Sequence, residues 1–366
     1  MQFFKKRKLT NYISKKTSQG LYYTLFTTVV YLVYIYPFYC LSHLYLGTNL
    51  FDFWSIPITV LVAFLIVLFF RTEVVVWPLK SFVYWGLGIG FISLWIFSLG
   101  LLVSMTSNID SHLIGIACTI ILSFTLIYGS YNGNRVVLKE LAIPSSKIDQ
   151  EIQFVFISDT HLGSNSEKHL IKIKELLDRT DFEFIVIGGD FFDSSSYRLE
   201  TLNLIKYLAR PILFITGNHE YYLKDYDSML KKLSEFGIKI LDNVAVQFGG
   251  LNIIGVDEGQ NIERQKDVIK QHKEEGKFNI AVVHKPFLWA RDFSDADLTL
   301  AGHTHNGQII PFNLFVRLQT RFLYGLYQGA ESWLYVSCGS GCWGPRLRLG
   351  SQNEIVLVKL LPKMFK

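Results

Sequence analysis

Asp52 is the only charged residue between Leu21 and Phe70, and Asp110 is the only one between Ser81 and Ser130. This scarcity constrains the fold more than any other feature of the chain. A helix packed on one side and wetted on the other needs a polar stripe, and these windows have none. They contain four apolar runs, Leu21–Leu46, Phe53–Phe70, Phe82–Met105 and Leu113–Tyr128. Each is close to the ~20 residues a helix needs to cross a bilayer core. The expectation is a four-helix transmembrane region over residues 21–130, preceded by a basic arm over residues 1–20.

The basic residues give that region an orientation. Lys5, Lys6, Arg7, Lys8, Lys15 and Lys16 stand in the arm without an acid. Arg71 and Lys80 lie between the second and third runs, and Arg135, Lys139 and Lys147 follow the fourth, whereas the other two loops offer only Asp52 and Asp110. Positive flanks stay on the cytoplasmic side, which predicts a cytoplasmic arm and a cytoplasmic C-terminal domain. The formal net charge of +5 is modest, and the arm adjoins a membrane helix, so it reads as an anchor and no nucleic-acid binding is expected. The first apolar run is long, begins late and lacks a small-x-small site, so a cleaved signal peptide is not expected. Four cysteines, Cys40, Cys118, Cys338 and Cys342, make neither a disulfide framework nor a complete structural zinc site.

Asn132, Gly133, Asn134, Pro144, Ser145 and Ser146 mark residues 131–150 as a linker. A second domain then runs from 151 to 366, alternating short apolar strands with amphipathic helices. Phe154–Ile157 is followed by Asp159 and His161, and Phe184–Ile187 by Gly188-Gly189-Asp190. Ile212–Ile215 is followed by Asn218 and His219, Ile280–Val283 by His284, and Leu298–Ala301 by Gly302-His303-Thr304-His305. Helices are expected near Glu167–Arg179, Leu199–Ala209 and Tyr226–Phe236, and a hairpin at Gly249-Gly250. The alternation indicates an α/β domain with a largely buried sheet.

In open α/β sheets the strand carboxyl ends share one edge and form the ligand crevice. That edge would collect Asp159, His161, Asp190, Asn218, His284, His303 and His305. Their imidazoles, carboxylates and one amide oxygen suit two divalent ions of the Mn, Fe or Zn type, manganese among them, and are too rich in nitrogen for a Mg or Ca site. Asp190 is the expected bridging carboxylate, with room made by the Gly pair. His169 and His272 read as exposed helix residues, and Glu220 and Asp193 as structural residues that fix loops or hydrogen-bond behind the ligands.

Asp159-Thr-His161, Gly189-Asp190, Gly217-Asn218-His219-Glu220, His284 and Gly302-His303-Thr-His305 resemble, in order, the five blocks of the calcineurin-like metallophosphoesterases. The resemblance implies a four-layer αββα sandwich. It groups Asp159, His161, Asp190 and His305 around one metal, and Asp190, Asn218, His284 and His303 around the other. Tyr335–Arg346, with Arg348, Gly350 and Glu354-Ile355, is similar to a bacterial branch that contains membrane-attached phosphodiesterases, which implies a multi-pass protein of a bacterial inner membrane. Asn306 stands where that branch usually has Gly, and Gln352-Asn353 where prolines are common.

The chemistry fits such a site. A phosphate ester is anionic and repels hydroxide, and two cations about 3.5–4 Å apart neutralise it and lower the pKa of a bridging water for in-line attack. His219, beside Asn218, is the expected group to protonate or stabilise the leaving oxygen, so His219 and Asp190 are the catalytic candidates. Arg346 and Arg348 are candidate contacts to substrate phosphate. The expected enzyme is a membrane-anchored hydrolase of phosphodiester or pyrophosphate bonds. Its substrate is lipid-linked in one reading, an example being the UDP-diacylglucosamine pyrophosphohydrolases, and a nucleotide in another. A non-catalytic membrane scaffold or sensor is the reading from a different class. Pro311–Tyr327, rich in apolar residues, is either an apolar flap at the bilayer or part of the packed interior.

Overall fold

The computed structural model describes residues 20–72, 77–195, 199–206, 209–291 and 295–363. The basic arm lies outside them apart from Gly20. The chain divides into two compact units, Met1–Ile127 and Tyr128–Lys366.

The first unit is helical. It contains α1 (Gly20–Leu46), α2 (Ser55–Thr72), α3 (Trp77–Thr106) and most of α4 (Ser111–Asn134). The helices α1, α3 and α4, of 27, 30 and 24 residues, are long and apolar enough to cross a membrane. The 18 residues of α2 rise only ~27 Å, short of a ~30 Å hydrocarbon core. Three of the four expected spans therefore stand by length and composition. In α1 the residues Tyr31–Ile35 form a π-helical turn, which precedes Pro37, a residue with no N–H for the ladder. Tyr34, Ile66 and Val83 pack in one cluster, and Cys40, Leu44, Phe97 and Ile114 in another. Leu25, Phe64, Leu102 and Ile121 face outward, so apolar side chains line the outside as well as the contacts between helices.

The second unit opens on the last residues of α4 and on β1 (Val136–Ser145), which corrects the linker expected over 131–150. Over its whole length β1 pairs in parallel with β12 (Asn353–Pro362). Its residues read as a linker because an edge strand tolerates charge and proline: Lys139, Glu140 and Pro144 are all compatible with a strand bonded on one side.

Two six-stranded sheets follow. The first has the order β1, β12, β2 (Ile152–Ile157), β3 (Phe184–Gly188), β4 (Ile212–Ile215), β5 (Ile238–Ile240). The second has the order β10 (Gly325–Gln328), β11 (Trp333–Val336), β9 (Leu298–Ala301), β8 (Phe278–Val282), β7 (Leu251–Gly255), β6 (Ala245–Phe248). Strands β2 to β5 are mutually parallel, as are β7, β8, β9 and β11. At the expected hairpin, Gly249 and Gly250 have φ of 53° and 85° and turn β6 into the antiparallel β7.

Side-chain alternation divides the interior. Phe154, Phe156, Phe184 and Val186 from the first sheet share a cluster with Ile253, Ile280, Leu298 and Leu300 from the second. The Phe154 and Phe184 rings stack there at 4.8 Å, each ring burial contributing about 1.5–3 kcal/mol. Val155, Ile157, Ile185 and Ile187 point the other way, to α5 (Glu167–Leu177) and α7 (Tyr226–Glu235) through Leu170, Ile173, Met229 and Leu233. On the second sheet Ala281 and Ala301 meet Val268 and Ile269 of α8 (Ile262–His272). Of the helix expected over Leu199–Ala209, the described residues form a 3-10 turn, Leu199–Leu202, continued by α6 (Asn203–Lys206), and 207–208 lie outside the described residues. Ala209 already has φ 51° ahead of Pro211. The last helix is α9 (Phe312–Gln319).

Candidate metal centre

Each expected ligand follows the carboxyl end of a strand, and both sheets contribute. The first sheet supplies Asp159 after β2, Asp190 after β3 and Asn218 with His219 after β4. The second supplies His284 after β8, and His303 with His305 after β9. Three overlapping groups result: Asp159, His161 and His305; His161, Asp190 and His219; Asp190, His284 and His303, with the candidate donor atoms of each within 4.8 Å of one another. His284 Nε2 lies 3.2 Å from Asp190 Oδ2 and 3.2 Å from Asn218 Oδ1, which adds the amide. His161 Nε2 and His305 Nε2 are 3.1 Å apart, and His305 Nε2 is 3.5 Å from Asp159 Oδ1. The seven residues named from the sequence are thus gathered in one place, with His219 beside them.

The backbone is bent to achieve this. Asp159, His161, Asp190, His303 and His305 have φ of 52°, 50°, 52°, 72° and 49°. Non-glycine residues enter this left-handed region rarely and at a cost, so surrounding contacts must hold them there. Two such contacts are amides: His303 N–H donates to Asp159 Oδ2 at 3.0 Å, and His219 N–H donates to Asp190 Oδ1 at 2.8 Å. Space is equally constrained. A Cβ on Gly189 would lie 2.7 Å from Gly217 Cα and 2.8 Å from His284 Nδ1, and one on Gly302 would overlap Asp159 Oδ2. Asn306 also has φ 51°, which explains why glycine is usual at that position. Asn is among the few side chains that accept it, and its Nδ2 donates to Gly350 O at 3.2 Å.

Electrostatics suit cation ligands. Burial holds His303 down to about 3, and holds His161 and His305 well below the usual imidazole range, so these rings keep free lone pairs. Burial opposes the charge of Asp190, yet the neighbouring His284 holds its carboxyl well below the usual range. His284 is raised to about 10, because Asp190 outweighs the burial that would otherwise lower it. Burial also raises Asp159 to about 6. His161, His303 and His305 are thus neutral donors, whereas His284 shares a proton with Asp190 that a bound cation would displace.

Glu220 and Asp193, read from the sequence as loop-fixing residues, lie behind the ligands, and Arg348 and His169 join them without having been legible in that role. Glu220 is fully buried and accepts from the N–H groups of Asp190, Phe192 and Gly217 at 2.8–2.9 Å, locking the loops after β3 and β4 together. Asp193 Oδ2 lies 3.6 Å from His161 Nδ1, beyond hydrogen-bond distance but behind the ring. Arg348 is fully buried and bonded to Asn353 Oδ1, Gly341 O and His305 O at 2.8, 2.6 and 3.0 Å, so it faces the interior and away from any substrate. Arg346 is partly buried and reaches Ser164 O at 3.4 Å. His169, expected to be exposed, is buried with its Nε2 2.6 Å from Ser340 O. The closeness of Glu220 and Asp193 to predicted ligands in the sequence was the available signal. Arg348 and His169 gave none, since their partners are remote in sequence.

Residues 152–307 match the Calcineurin-like phosphoesterase family. An uncharacterized metallophosphoesterase of Campylobacter jejuni is 34% identical over 275 residues, 70% of this chain and 72% of that one. The chain belongs to the metallophosphoesterases. As a member of that family it is a metal-dependent phosphoester hydrolase, and the clustered His and Asp side chains are its candidate ligands. An uncharacterized metallophosphoesterase of Helicobacter pylori is 34% identical over 249 residues, 64% of this chain and 67% of that protein. A protein of Danio rerio, named as a transmembrane protein with a metallophosphoesterase domain, is 28% identical over 269 residues, 66% of this chain and 61% of its own length. That similarity and the three long apolar helices point to association with a membrane.

Proposed function

We propose that this metallophosphoesterase is a membrane-anchored, dinuclear enzyme that hydrolyses phosphodiester or pyrophosphate bonds. The observation that carries the reading is the shared membership of Asp190 in two ligand groups, one with His161 and His219, the other with His284 and His303. A carboxylate so placed serves two cations at once. Asp159, His161, Asp190 and His305 would hold one, and Asp190, Asn218, His284 and His303 the other. When bound, the pair supplies charge neutralisation for the phosphoryl oxygens and a water acidic enough to react near neutral pH. His219 keeps its Nε2 3.9 Å from Asp190 Oδ2, and its side chain is partly open to solvent, where it would hand a proton to the leaving oxygen. Mn, Fe and Zn all suit the donors.

The wider organisation belongs to the same proposal. A basic arm (1–20) and a four-helix membrane region (21–130) would precede the phosphoesterase domain (151–366), with 131–150 joining them partly as strand β1. The three apolar clusters, one between the sheets and one on each outer face, support a four-layer αββα sandwich. The positive flanks support a multi-pass protein of a bacterial inner membrane with its catalytic domain cytoplasmic. A lipid-linked phosphoester is the substrate class favoured by the anchor.

The test is hydrolysis of a chromogenic phosphodiester by the full chain with Mn²⁺ added, together with metal analysis. Activity in the wild type, its loss in an Asp190→Asn, His284→Ala double variant and two ions per chain are expected. Equal activity in the two proteins would favour a scaffold, and a single ion per chain would end the dinuclear reading. A C-terminal reporter active only outside the cytoplasm would refute the orientation.

A further inference from the structure

The helix α9 is amphipathic in the wrong sense for a water-soluble surface. Leu314, Phe315 and Leu318 are 58%, 48% and 85% exposed, and Ile310 just before them is 49% exposed. Phe312 stands on the same side, its ring 6.1 Å from that of Phe315. At 100° per residue Leu314, Phe315 and Leu318 share one face, Phe312 flanks it, and Asn313 and Val316 lie toward the other side. The inward side carries Asn313 and Val316, the two half-buried residues of the helix, and a Cβ on Gly307 would meet Asn313 Cβ at 2.6 Å. No residue of the helix is buried. A surface helix in water turns its apolar stripe to the core, and this one turns it out.

Its position in the chain says what lies on that side. Tyr128–Asn134, the end of the candidate span α4, belongs to the same unit as α9. Arg348 N–H donates to Gly129 O at 2.9 Å, Leu349 N–H to Gln308 O at 3.0 Å, and Ile310 N–H to Leu349 O at 3.1 Å. The base of α9 is therefore linked to the end of a candidate span by three backbone hydrogen bonds. Charge agrees: no Asp or Glu occurs from Leu298 to Ala330, while Arg317 and Arg321 flank the apolar face and are exposed. Such residues favour anionic headgroups.

We propose that α9 is an interfacial helix that lays Leu314, Phe315 and Leu318 into the headgroup region of the bilayer that holds the apolar helices. Such helices bury their apolar face ~5–10 Å into the headgroup and acyl boundary. The inference rests on the membrane association proposed above. It places the metal centre beside the lipid surface, since only Asn306 to Pro311 separate His305 from α9. A phosphoester presented by a lipid would reach the ligands without leaving the membrane.

The test uses the full chain in vesicles of phosphatidylethanolamine and phosphatidylglycerol. Leu318→Cys, and separately Lys231→Cys on α7, are labelled with an environment-sensitive fluorophore. The native cysteines are all buried, and labelled wild type sets the background. The expected result is a blue-shifted Leu318→Cys label that is quenched several-fold more by lipid-borne nitroxide than by aqueous iodide, with the reverse for Lys231→Cys. Replacing both Arg317 and Arg321 by Gln should reduce the lipid quenching. Iodide quenching at both sites would overturn the inference while co-flotation with the vesicles leaves the membrane reading intact. Protection of Leu318→Cys from both quenchers would also overturn it, by placing another protein surface there. Failure to float would remove the membrane reading and the inference together. Retained Mn²⁺-dependent activity on a soluble diester shows that the labelled proteins are folded.

Discussion

Arg348 holds His305 at two points: its Nη1 donates to the His305 carbonyl at 3.0 Å, and its Nη2 lies 3.2 Å from the ring Nδ1. The backbone N–H of Arg348 meanwhile donates to Gly129 O at the end of α4. One buried residue thus connects a candidate metal ligand to the end of a candidate span. It also helps to hold His305 at φ 49°, a conformation that the local sequence does not favour.

This relationship predicts that Arg348→Lys weakens metal binding. Lysine keeps the charge but lacks the planar fork that reaches His305, Gly341 and Asn353 together. Loss of a partner that orients a ligand costs about 10–100-fold in metal affinity. Calorimetric titration of the full chain with Mn²⁺ should show a fall of that order, with a much smaller change for Arg346→Lys. Unchanged affinity in Arg348→Lys would remove it from the positioning of His305.

Asp190→Asn should lower Mn²⁺-dependent hydrolysis by more than about 100-fold, beyond the effect of losing an orienting partner alone. Asparagine keeps the shape but cannot supply the negative charge that two ligand groups share. Steady-state rates across a Mn²⁺ titration are the measurement. Full rescue at high Mn²⁺ would mean that Asp190 contributes affinity and nothing more.

Gly189→Ala should destabilise the domain by about 1–3 kcal/mol through overpacking. The added methyl would meet Gly217 and His284, and φ is +84° at this position. Thermal unfolding of the full chain, followed by the near-ultraviolet signal, should shift down, and activity should fall with it. An unshifted melt would show that the loops after β3 and β4 can separate freely.

His169 predicts a pH dependence outside the metal centre. Burial lowers it from 6.5 to about 4, helped by the positive charges of Arg346, Lys172 and Arg348, although its bond to Ser340 O works the other way. The folded state therefore prefers the neutral ring. Its contribution is complete above pH 6.5, fades as pH falls toward 4 and is gone below that. The full change is on the order of 3 kcal/mol. Denaturant midpoints measured from pH 7 to pH 4 should fall less steeply in His169→Gln, whose amide can still donate to Ser340 O. Parallel curves would refute the assignment.

The apolar helices, the strand-then-ligand blocks and the hairpin at Gly249-Gly250 could be read from the sequence, because each depends on neighbours within a few residues. A continuous apolar run has few places to go except a buried strand or a membrane helix, and the ligands lie directly after their strands. The residues that complete the centre are different. Strand β1 finds its partner more than two hundred positions away in β12, so the polar composition of 131–150 suggested a linker. Arg348 and His169 acquire their roles from contacts across the fold, and their neighbours in sequence do not announce them. Composition showed that Pro311–Tyr327 is apolar, but which face of α9 turns outward depends on how Gly307 packs against Asn313. Residue types and spacing were enough to name seven candidate ligands. Bringing those donors within coordinating distance took two facing sheets, left-handed backbone at five of the seven positions and buried partners to hold it, all of them products of long-range packing.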